Sequence, residues 1–496
     1  MPSSWKARAR PLSWVQNISD RAGAHLALDF TSLADGLTRQ IESVGDQLSE
    51  TFFEPVIRLG VTGMARAGKT VFITSLVANL LNRGRMPGLT AQADGRILAA
   101  YLQPQPDDTL PRFDYEAHLA ALTGPQPWWP DSTRSISELR ISFRVRPTGL
   151  LGGVSGPRTV HLDIIDYPGE WLLDLGLMEK SYAQWSETVL ARMRTRPFAA
   201  ESLAALEAAR GQDSWAEPGV QALTRGYTAY LHAARGAGLS DVTPGRFLMP
   251  GDLDGSPVLT FVPLLPEPHA PRRGLWREME RRYDAYKSRV VKPFFSRHFS
   301  RIDRQVVLVD ALSAIHAGPQ AVEDLNRGLE GILAAFRPGR NAWLSRLLLG
   351  KRVERILFAA TKADHLHHAQ HPRLTAILEA LVAQAASRAD FAGADTRAMA
   401  LASLRTTVEE TRRHGTLDLD CVRGRLADGR QAALYPGELP EDPTRITRGH
   451  LSGERWLDGD YQLMNFAPAV ISLKPGEGPP HIRLDKAAQF LIGDKL

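Results

Sequence analysis

This chain of 496 residues is 43% hydrophobic, which is enough to bury a large core and to fill roughly two or three domains. Its single cysteine, Cys421, excludes a fold held together by internal disulfides. The formal net charge of +5 is small, and no uninterrupted apolar stretch approaches the roughly 18 residues of a membrane span. We therefore expect a cytoplasmic protein without a transmembrane anchor.

The first predicted core elements frame a glycine-rich loop. The apolar run 56–63 predicts a buried strand, and a helix is predicted over 69–81. Between them, residues 63–70 read GMARAGKT and satisfy the phosphate-loop pattern G-x-x-x-x-G-K-[ST]. Lys69 would hold the β- and γ-phosphates, and the Thr70 hydroxyl would ligate Mg²⁺. The predicted phosphate contacts are Gly63, Ala65, Arg66, Ala67, Gly68, Lys69, Thr70 and Val71.

A long segment separates this helix from the second predicted strand, 137–145. It includes the proline- and tryptophan-rich stretch 124–130 and must contain the first loop that senses the nucleotide. The favoured residue is Thr133, whose hydroxyl would reach Mg²⁺ when a triphosphate is bound. The alternative for Thr133 is a turn residue or a helix cap.

The next strand, 159–165, is predicted to pair with 137–145 as an antiparallel edge hairpin, and an acidic motif follows it. Residues 166–169 read DYPG, the pattern D-x-x-G. Asp166 would lie near Mg²⁺ at the carboxyl end of the strand. The N–H of Gly169 would contact the γ-phosphate and so report whether it is present.

Residues 176–303 are too many for one connection and are predicted to form an inserted helical domain. Apolar spacing predicts its helices over 181–195, 199–210, 221–237 and 274–289.

Basic residues are concentrated at the end of this insert. The segment 271–301 contains ten Lys or Arg against three Glu or Asp. It is interpreted either as a solvated basic helix that packs its aromatic side chains inward or as a docking face for a membrane surface or an acidic protein partner. The second interpretation would place the protein at the periphery of the inner membrane. Nucleic acid is not expected, because no recognisable binding module is present. The aromatic residues concerned are Trp276, Tyr283, Tyr286, Phe294 and Phe295.

The third motif follows a short buried strand. Residues 361–364 read TKAD, the pattern T-K-x-D. The carboxylate of Asp364 could accept two hydrogen bonds from the N1–H and the exocyclic amine of guanine, which adenine cannot reciprocate. Lys362 would lay its aliphatic stem over the base, and Thr361 ends the strand. The alternative is an ordinary turn in which Asp364 caps a helix.

Strands alternate with helices along the chain, which predicts an α/β fold with a mostly parallel six-stranded sheet and nucleotide at the carboxyl edge of its strands. The last three core strands are predicted over 305–310, 355–361 and 398–401. The predicted division is an N-terminal helical segment 1–50, a nucleotide-binding core in two parts, 51–175 and 304–406, the helical insertion 176–303, and a C-terminal insertion 407–496 with turns, short strands and a closing helix packed on the core.

The order of the three motifs resembles that of the Ras-like GTPase superfamily. The loop residues MARA at 64–67, the run DYPGEW at 166–171 and the ending HIRLD at 481–485 resemble one bacterial group, the YcjX-like GTPases. The resemblance covers residues from about 50 to the C-terminus. It implies a Ras-like P-loop core, GTP/GDP and Mg²⁺ as ligands, and a loose link to bacterial stress physiology. It also implies that the guanine-contacting loop is Ala402, Ser403 and Leu404.

One position departs from many small GTPases, which place a glutamine after D-x-x-G to orient the attacking water. This chain has Glu170 there. Glu170 could hold or deprotonate a water, but its charge near a γ-phosphate requires a cation. Arg66 in the phosphate loop is the predicted cation, and the alternative is an arginine that faces solvent or pairs with an acid.

We therefore expect a GTP-binding, slowly hydrolysing switch protein whose helical insert senses the second switch. The first alternative is an ATPase or a small-molecule kinase, against which 361–364 argues. The second is a nucleotide-stabilised scaffold that never cycles, for which Glu170 is the strongest sequence argument.

Overall fold

The structure is a computed structural model of the chain, and it describes residues 54–64, 66–131, 135–148, 156–212, 214–267, 269–333, 353–391, 393–448 and 463–496. Residues from Glu54 onward form one compact unit. The predicted N-terminal helical segment 1–50 lies outside the described residues.

Seven strands form the central sheet: β1 Val56–Gly63, β2 Ile97–Gln103, β3 Ser137–Val145, β4 Arg158–Asp166, β5 Arg304–Val309, β6 Arg355–Ala360 and β7 Asp395–Ala400. Their order is β2-β3-β4-β1-β5-β6-β7. The strand β3 is antiparallel to both its neighbours, and the remaining pairs are parallel. The predicted fold class, an α/β fold with a mostly parallel sheet, is confirmed.

The predicted number of six strands is wrong by one, because β2 pairs with β3 at the edge of the sheet. The β2 sequence, ILAAYLQ, has no regular alternation of apolar and polar residues, and a short apolar run does not distinguish a strand from a helix. The predicted hairpin of β3 and β4 is present, but it lies one strand inside the edge.

The described helices are, in chain order, α1 Lys69–Asn82, α2 Thr90–Ala93, α3 Tyr115–Thr123, α4 Gly169–Leu173, α5 Tyr182–Arg194, α6 Ala200–Ala208, α7 Glu217–Gly236, α8 Gly245–Leu248, α9 Leu275–Tyr286, α10 Lys292–Arg297, α11 Ala311–Ala317, α12 Pro319–Leu333, α13 His371–Phe391, α14 Thr444–Arg448 and α15 Leu484–Ile492. In the part of the chain that the structure describes, no helix combines the length and the apolar character needed to cross a bilayer.

Both faces of the sheet are apolar and both are covered, as is usual for parallel sheets. Side chains alternate along a strand, so Val306 and Leu308 of β5 face one side while Val307 and Val309 face the other. The first side is packed by α1 and α15, and the second by α11, α12 and α13.

The helices α5 to α10 between β4 and β5 pack around buried aromatic residues. Trp185 of α5 stacks on Tyr283 of α9 with ring centroids 5.1 Å apart, and Phe247 of α8 meets Phe261 at 4.9 Å. This apolar cluster is continuous with the second side of the sheet, where it includes Val307. These helices, called the insert below, therefore pack directly on the core and on the chain that leaves β4.

After β7 the chain forms a second, antiparallel sheet of three strands, β8 Thr407–His414, β9 Leu417–Arg425 and β10 Gln431–Leu434. It then returns to the core, where Ala402 and Ile482 form an isolated antiparallel bridge and α15 packs on the sheet. The division of the chain into domains stays a prediction.

Candidate nucleotide-binding site

The loops that follow the parallel strands converge at one edge of the central sheet and enclose a cavity of about 440 Å³. Asp166 and Gly169 lie beside it, against Lys69 and Gly63 respectively. Two predicted site residues, Ala65 and Thr133, lie outside the described residues. The other predicted site residues all line the cavity: Gly63, Arg66, Ala67, Gly68, Lys69, Thr70, Val71, Glu170, Thr361, Lys362, Asp364, Ala402, Ser403 and Leu404.

The phosphate loop curls around the start of α1. Arg66 and Gly68 both have a left-handed backbone, with φ of 64° and 80°. Glycine adopts this conformation freely, whereas Arg66 adopts it at some cost. Because α1 begins at Lys69, the positive end of the helix dipole lies at the cavity. This arrangement fits a bound phosphate.

Asp166, at the end of β4, is buried and accepts a hydrogen bond from Lys69 Nζ through Oδ1. Its other oxygen, Oδ2, has no hydrogen-bond partner among the described residues. A buried carboxylate oxygen without a partner is costly unless a cation completes the site. Thr70, which is also buried, lines the adjoining cavity. These two oxygen ligands fit Mg²⁺, which prefers carboxylate and hydroxyl oxygens together with those of a phosphate.

The opposite end of the cavity is formed by the chain after β6. Thr361 N–H donates to the Val309 carbonyl over 2.9 Å, which extends the sheet into the loop. Lys362 has a left-handed φ of 60°, and its Nζ donates to Asp310 Oδ2 at 2.5 Å. Lys362, which lines the cavity, is thereby held by Asp310.

Asp364 is buried at the same end. Its Oδ2 accepts hydrogen bonds from the Thr406 N–H at 2.8 Å and from the Thr406 hydroxyl at 2.7 Å. A carboxylate offers about four acceptor sites, so about two remain for a ligand. The predicted loop Ala402–Leu404 lies beside it and is held by backbone hydrogen bonds between Ala402 and Ile482. The sequence motif did not reveal Thr406.

Three aromatic side chains, those of Trp129, His365 and Phe466, also line the cavity. Trp129 Nε1 donates to the Phe466 carbonyl over 2.9 Å, and the rings of Phe466 and His365 meet edge to face at 5.3 Å. A Cβ at Gly424 would lie 2.6 Å from the Phe466 ring, so a glycine is required there. The tryptophan-rich stretch 124–130 stands out in the sequence, but the sequence did not predict this contact.

The segment 166–177 contains the predicted second switch, is called switch II below, and approaches the phosphate loop closely. A Cβ added at Gly169 would lie 2.1 Å from the Gly63 carbonyl oxygen, so this approach needs a glycine. The helix α4 begins at this residue. The geometry places Gly169 at the phosphate loop, where its predicted role was to sense the γ-phosphate.

Glu170 lines the cavity and is only 6% exposed. Its carboxylate contacts Arg235 of α7, with Arg235 Nη2 3.2 Å from Glu170 Oε1. Arg235 also lines the cavity, although it lies far along the chain within the insert. Arg66 is the cation that the sequence predicts for this glutamate, whereas Arg235 was not predicted, because spacing along the chain gives no signal for such a contact. Arg66 is exposed at the cavity, and its role stays a prediction.

The rest of switch II is buried against the insert. Trp171 Nε1 donates to the Met249 carbonyl at 2.9 Å, and the Arg246 guanidinium lies 3.2 Å from the centre of the Trp171 ring. Asp174 accepts from the Gly245 N–H at 2.7 Å and from the Tyr286 hydroxyl at 2.5 Å. Burial raises the pKa of Asp174 to about 6, and its hydrogen-bond donors only partly offset this.

The aromatic residues of the basic segment 271–301 face inward, as the first of the two interpretations requires. All five are buried in the apolar cluster: Trp276, Tyr283, Tyr286, Phe294 and Phe295. They are therefore not available to a membrane or a protein partner. The exposed basic side chains are Arg272, Arg273, Arg281, Arg289, Lys292, Arg297 and Arg301. A docking role for these basic side chains stays a prediction.

Comparison with known proteins agrees with this architecture. A model of the YcjX-like family, DUF463, matches residues 57–496. An Escherichia coli K12 protein named Ras-like GTPase YcjX is 37% identical, over 89% of this chain and 96% of its own length. A Shewanella oneidensis protein of the same name is 36% identical, over 89% of this chain and 94% of its own length. The predicted resemblance is confirmed, and the chain belongs to the YcjX-like family.

Proposed function

We propose that this chain binds guanine nucleotide together with Mg²⁺ and hydrolyses GTP slowly. The observation that carries the proposal is a single cavity with the phosphate loop at one end and Asp364 with Ala402–Leu404 at the other. Phosphates would meet the N–H groups at the start of α1, and the base would meet a carboxylate. The name Ras-like GTPase, which two relatives carry, supports the same activity.

Each group in this cavity has a role in the proposal. Lys69 would exchange its bond to Asp166 for the β- and γ-phosphates, and Asp166 and Thr70 would hold the metal ion. Mg²⁺ supplies charge neutralisation at the phosphates when bound. Thr133 would complete the metal site in the triphosphate state. Asp364 would accept the N1–H and the amine of guanine, while Lys362 would cover the base.

The proposed switch runs from Gly169 into the insert. Switch II begins at the phosphate loop and continues without a break into Trp171 and Asp174, which are hydrogen-bonded to the insert. A movement of Gly169 toward a γ-phosphate would therefore act on the insert through a short covalent path. The expected slowness of hydrolysis is supported by Glu170, which replaces the water-orienting glutamine.

The sharpest test changes the base selectivity by replacing one carboxylate oxygen of Asp364 with an NH₂ group. In Asp364→Asn the side-chain oxygen can still accept the N1–H, but its NH₂ group now opposes the amine of guanine and matches the 2-oxo group of xanthine. Calorimetry with Mg·GDP, Mg·XDP and Mg·ADP should show wild-type protein selecting GDP and the variant selecting XDP by at least about tenfold. Asp254→Asn, at an exposed position in the insert, is the matched control.

The alternatives give different results in the same experiment. An ATPase or small-molecule kinase would bind Mg·ADP whether or not Asp364 is changed. A scaffold would bind GDP and GTP with the predicted selectivity but would release no phosphate under single-turnover conditions. The location of the protein and its link to stress remain predictions.

A further inference from the structure

Two side chains of the insert, Arg235 and Met249, reach the nucleotide cavity. Arg235 lies in the last turn of α7 and is 21% exposed. Its Nη2 is 3.2 Å from Glu170 Oε1, and its Nη1 lies 4.0 Å from the Met249 sulfur. The guanidinium is thus held between switch II and the insert instead of extending into solvent.

The position of Glu170 makes this arginine necessary. The Glu170 carboxylate is buried, and its Oε1 has no hydrogen bond among the described residues, so its charge is balanced by the ion pair with Arg235. Glu170 directly follows Gly169, whose backbone lies against the phosphate loop. A γ-phosphate bound there would bring more negative charge to the same site, which is costly without a cation.

We propose that Arg235 is a catalytic residue that the helical insert supplies to the γ-phosphate of GTP. When the triphosphate binds, the guanidinium contacts a γ-phosphate oxygen while it remains paired with Glu170. Its planar set of five N–H donors allows both contacts at once, which a lysine ammonium does less well. Glu170 in turn positions the guanidinium. This inference rests on the proposed GTPase function.

The step that Arg235 would assist is hydrolysis of the terminal phosphate. The oxygen of a water molecule bonds to the γ-phosphorus, and the bond from that phosphorus to the bridging oxygen breaks. The electron pair of the broken bond stays with GDP, and both protons of the water end on the released dihydrogen phosphate. Negative charge builds up on the bridging and γ-phosphate oxygens, where a guanidinium stabilises the transition state more than the ground state.

The first measurement is single-turnover hydrolysis of GTP by wild-type protein, Arg235→Ala and Arg235→Lys, with Mg·GDP affinity measured in parallel. We expect the alanine variant to hydrolyse GTP about 10²- to 10³-fold more slowly, because arginines in this role contribute at least that much. The affinity for GDP, which lacks the γ-phosphate, should stay within about twofold. Arg225→Ala, at an exposed arginine of the same helix, should leave both quantities unchanged.

A second variant separates a contact with phosphate from a structural role. If Arg235 serves only to neutralise Glu170, then the double variant Glu170→Gln with Arg235→Ala should recover the rate of Glu170→Gln alone. We expect no such recovery, because the missing phosphate contact is not replaced. Binding of GDP with aluminium fluoride, a planar mimic of the transferring group, should be lost in Arg235→Ala and in the double variant and retained by Arg225→Ala.

The outcomes are distinguishable. Wild-type protein that neither binds nor hydrolyses GTP would overturn the proposed function itself. If wild-type protein hydrolyses GTP, two results would overturn the assignment of Arg235 and leave the proposed GTPase activity intact. One is an unchanged rate in Arg235→Ala, and the other is full recovery of the rate in the double variant.

Discussion

Thr406 donates two hydrogen bonds to one oxygen of Asp364, one from its backbone N–H and one from its hydroxyl. Thr406→Val removes the hydroxyl and keeps the shape and the backbone bond. A hydrogen bond to a charged group contributes about 1.5–3 kcal/mol, so we expect the affinity for Mg·GDP to fall about tenfold or more as the carboxylate loses its orientation. Calorimetric titration measures this change.

Thr406→Ser is the control, because it keeps the hydroxyl. Equal loss in the serine and valine variants would show that packing of the threonine methyl group, and not the bond to Asp364, sets the affinity. Unchanged affinity in Thr406→Val would show that the backbone N–H alone fixes the carboxylate.

At the level of single residues, the sequence predicts those that belong to a short motif and misses those that the fold brings in from distant parts of the chain. The phosphate loop and 361–364 are short runs in which spacing alone defines the geometry, and the structure brings both to one cavity. Thr406, Arg235 and Phe466 belong to the same cavity, but each is ordinary in its own neighbourhood. Each of them acquires a role only because the fold brings it to the cavity.

Among the elements, the contact between switch II and the insert depends on pH through Asp174. Burial raises the pKa of Asp174 in the fold from an ordinary 3.8 to about 6, with Tyr286, Gly245 and Arg246 as its nearest donors and charge. Between about pH 4 and pH 6 the folded state therefore binds more protons here than the unfolded state. The contribution of Asp174 to stability is greatest below this window and is lost as the pH rises through it.

Asp174→Asn isolates this contribution, because asparagine keeps the shape and does not titrate. We expect the free energy of unfolding of wild-type protein, relative to that of Asp174→Asn, to fall by about 2–3 kcal/mol between pH 4 and pH 7. Urea denaturation across this range measures it. Asp254→Asn, at an exposed position, should show no such trend, and a constant difference for Asp174→Asn would contradict a raised pKa.

Elements with a clear pattern of apolar residues were predictable from the sequence. Elements in which other residues, such as glycines, interrupt that pattern were not. The strands β1, β5 and β6 consist mostly of apolar residues. In α12 the buried positions Val322, Leu325, Leu329 and Ile332 have helical spacing, but two glycines weaken the signal. A Cβ at Gly328 would lie 2.4 Å from the end of the Met64 side chain of the phosphate loop, so a larger residue there would require that side chain to move.

For the whole molecule, the apolar cluster that fills the insert includes Trp171 of switch II and Val307 of the sheet. The insert and the core therefore share one packed interior, and interiors of this density rearrange between discrete states more readily than they deform. Arg246 lies at the centre of the contact, with its guanidinium over Trp171. Burial lowers the pKa of Arg246, and its charge is partly balanced by Asp252 and Asp174.

Arg246→Ala should uncouple the insert from the nucleotide without abolishing binding, because Arg246 does not line the nucleotide cavity. In wild-type protein we expect amide hydrogen exchange in α7 and α9 to differ between the Mg·GDP state and the state with a non-hydrolysable GTP analogue. In Arg246→Ala this difference in exchange should shrink several-fold, while the affinity for GDP stays within about threefold of wild type. The free energy of unfolding should fall by about 1–3 kcal/mol.

Arg281→Ala is the matched control, since Arg281 lies on α9 with an exposed side chain and does not contact switch II. It should keep the nucleotide-dependent difference in exchange. The coupling proposal fails if the difference persists in Arg246→Ala. It also fails if α7 and α9 of wild-type protein exchange equally in both nucleotide states, because a ligand can move a domain only through contacts that differ between its two states. An effect confined to Arg246→Ala would identify the stacked pair Trp171 and Arg246 as the route by which the γ-phosphate acts on the insert.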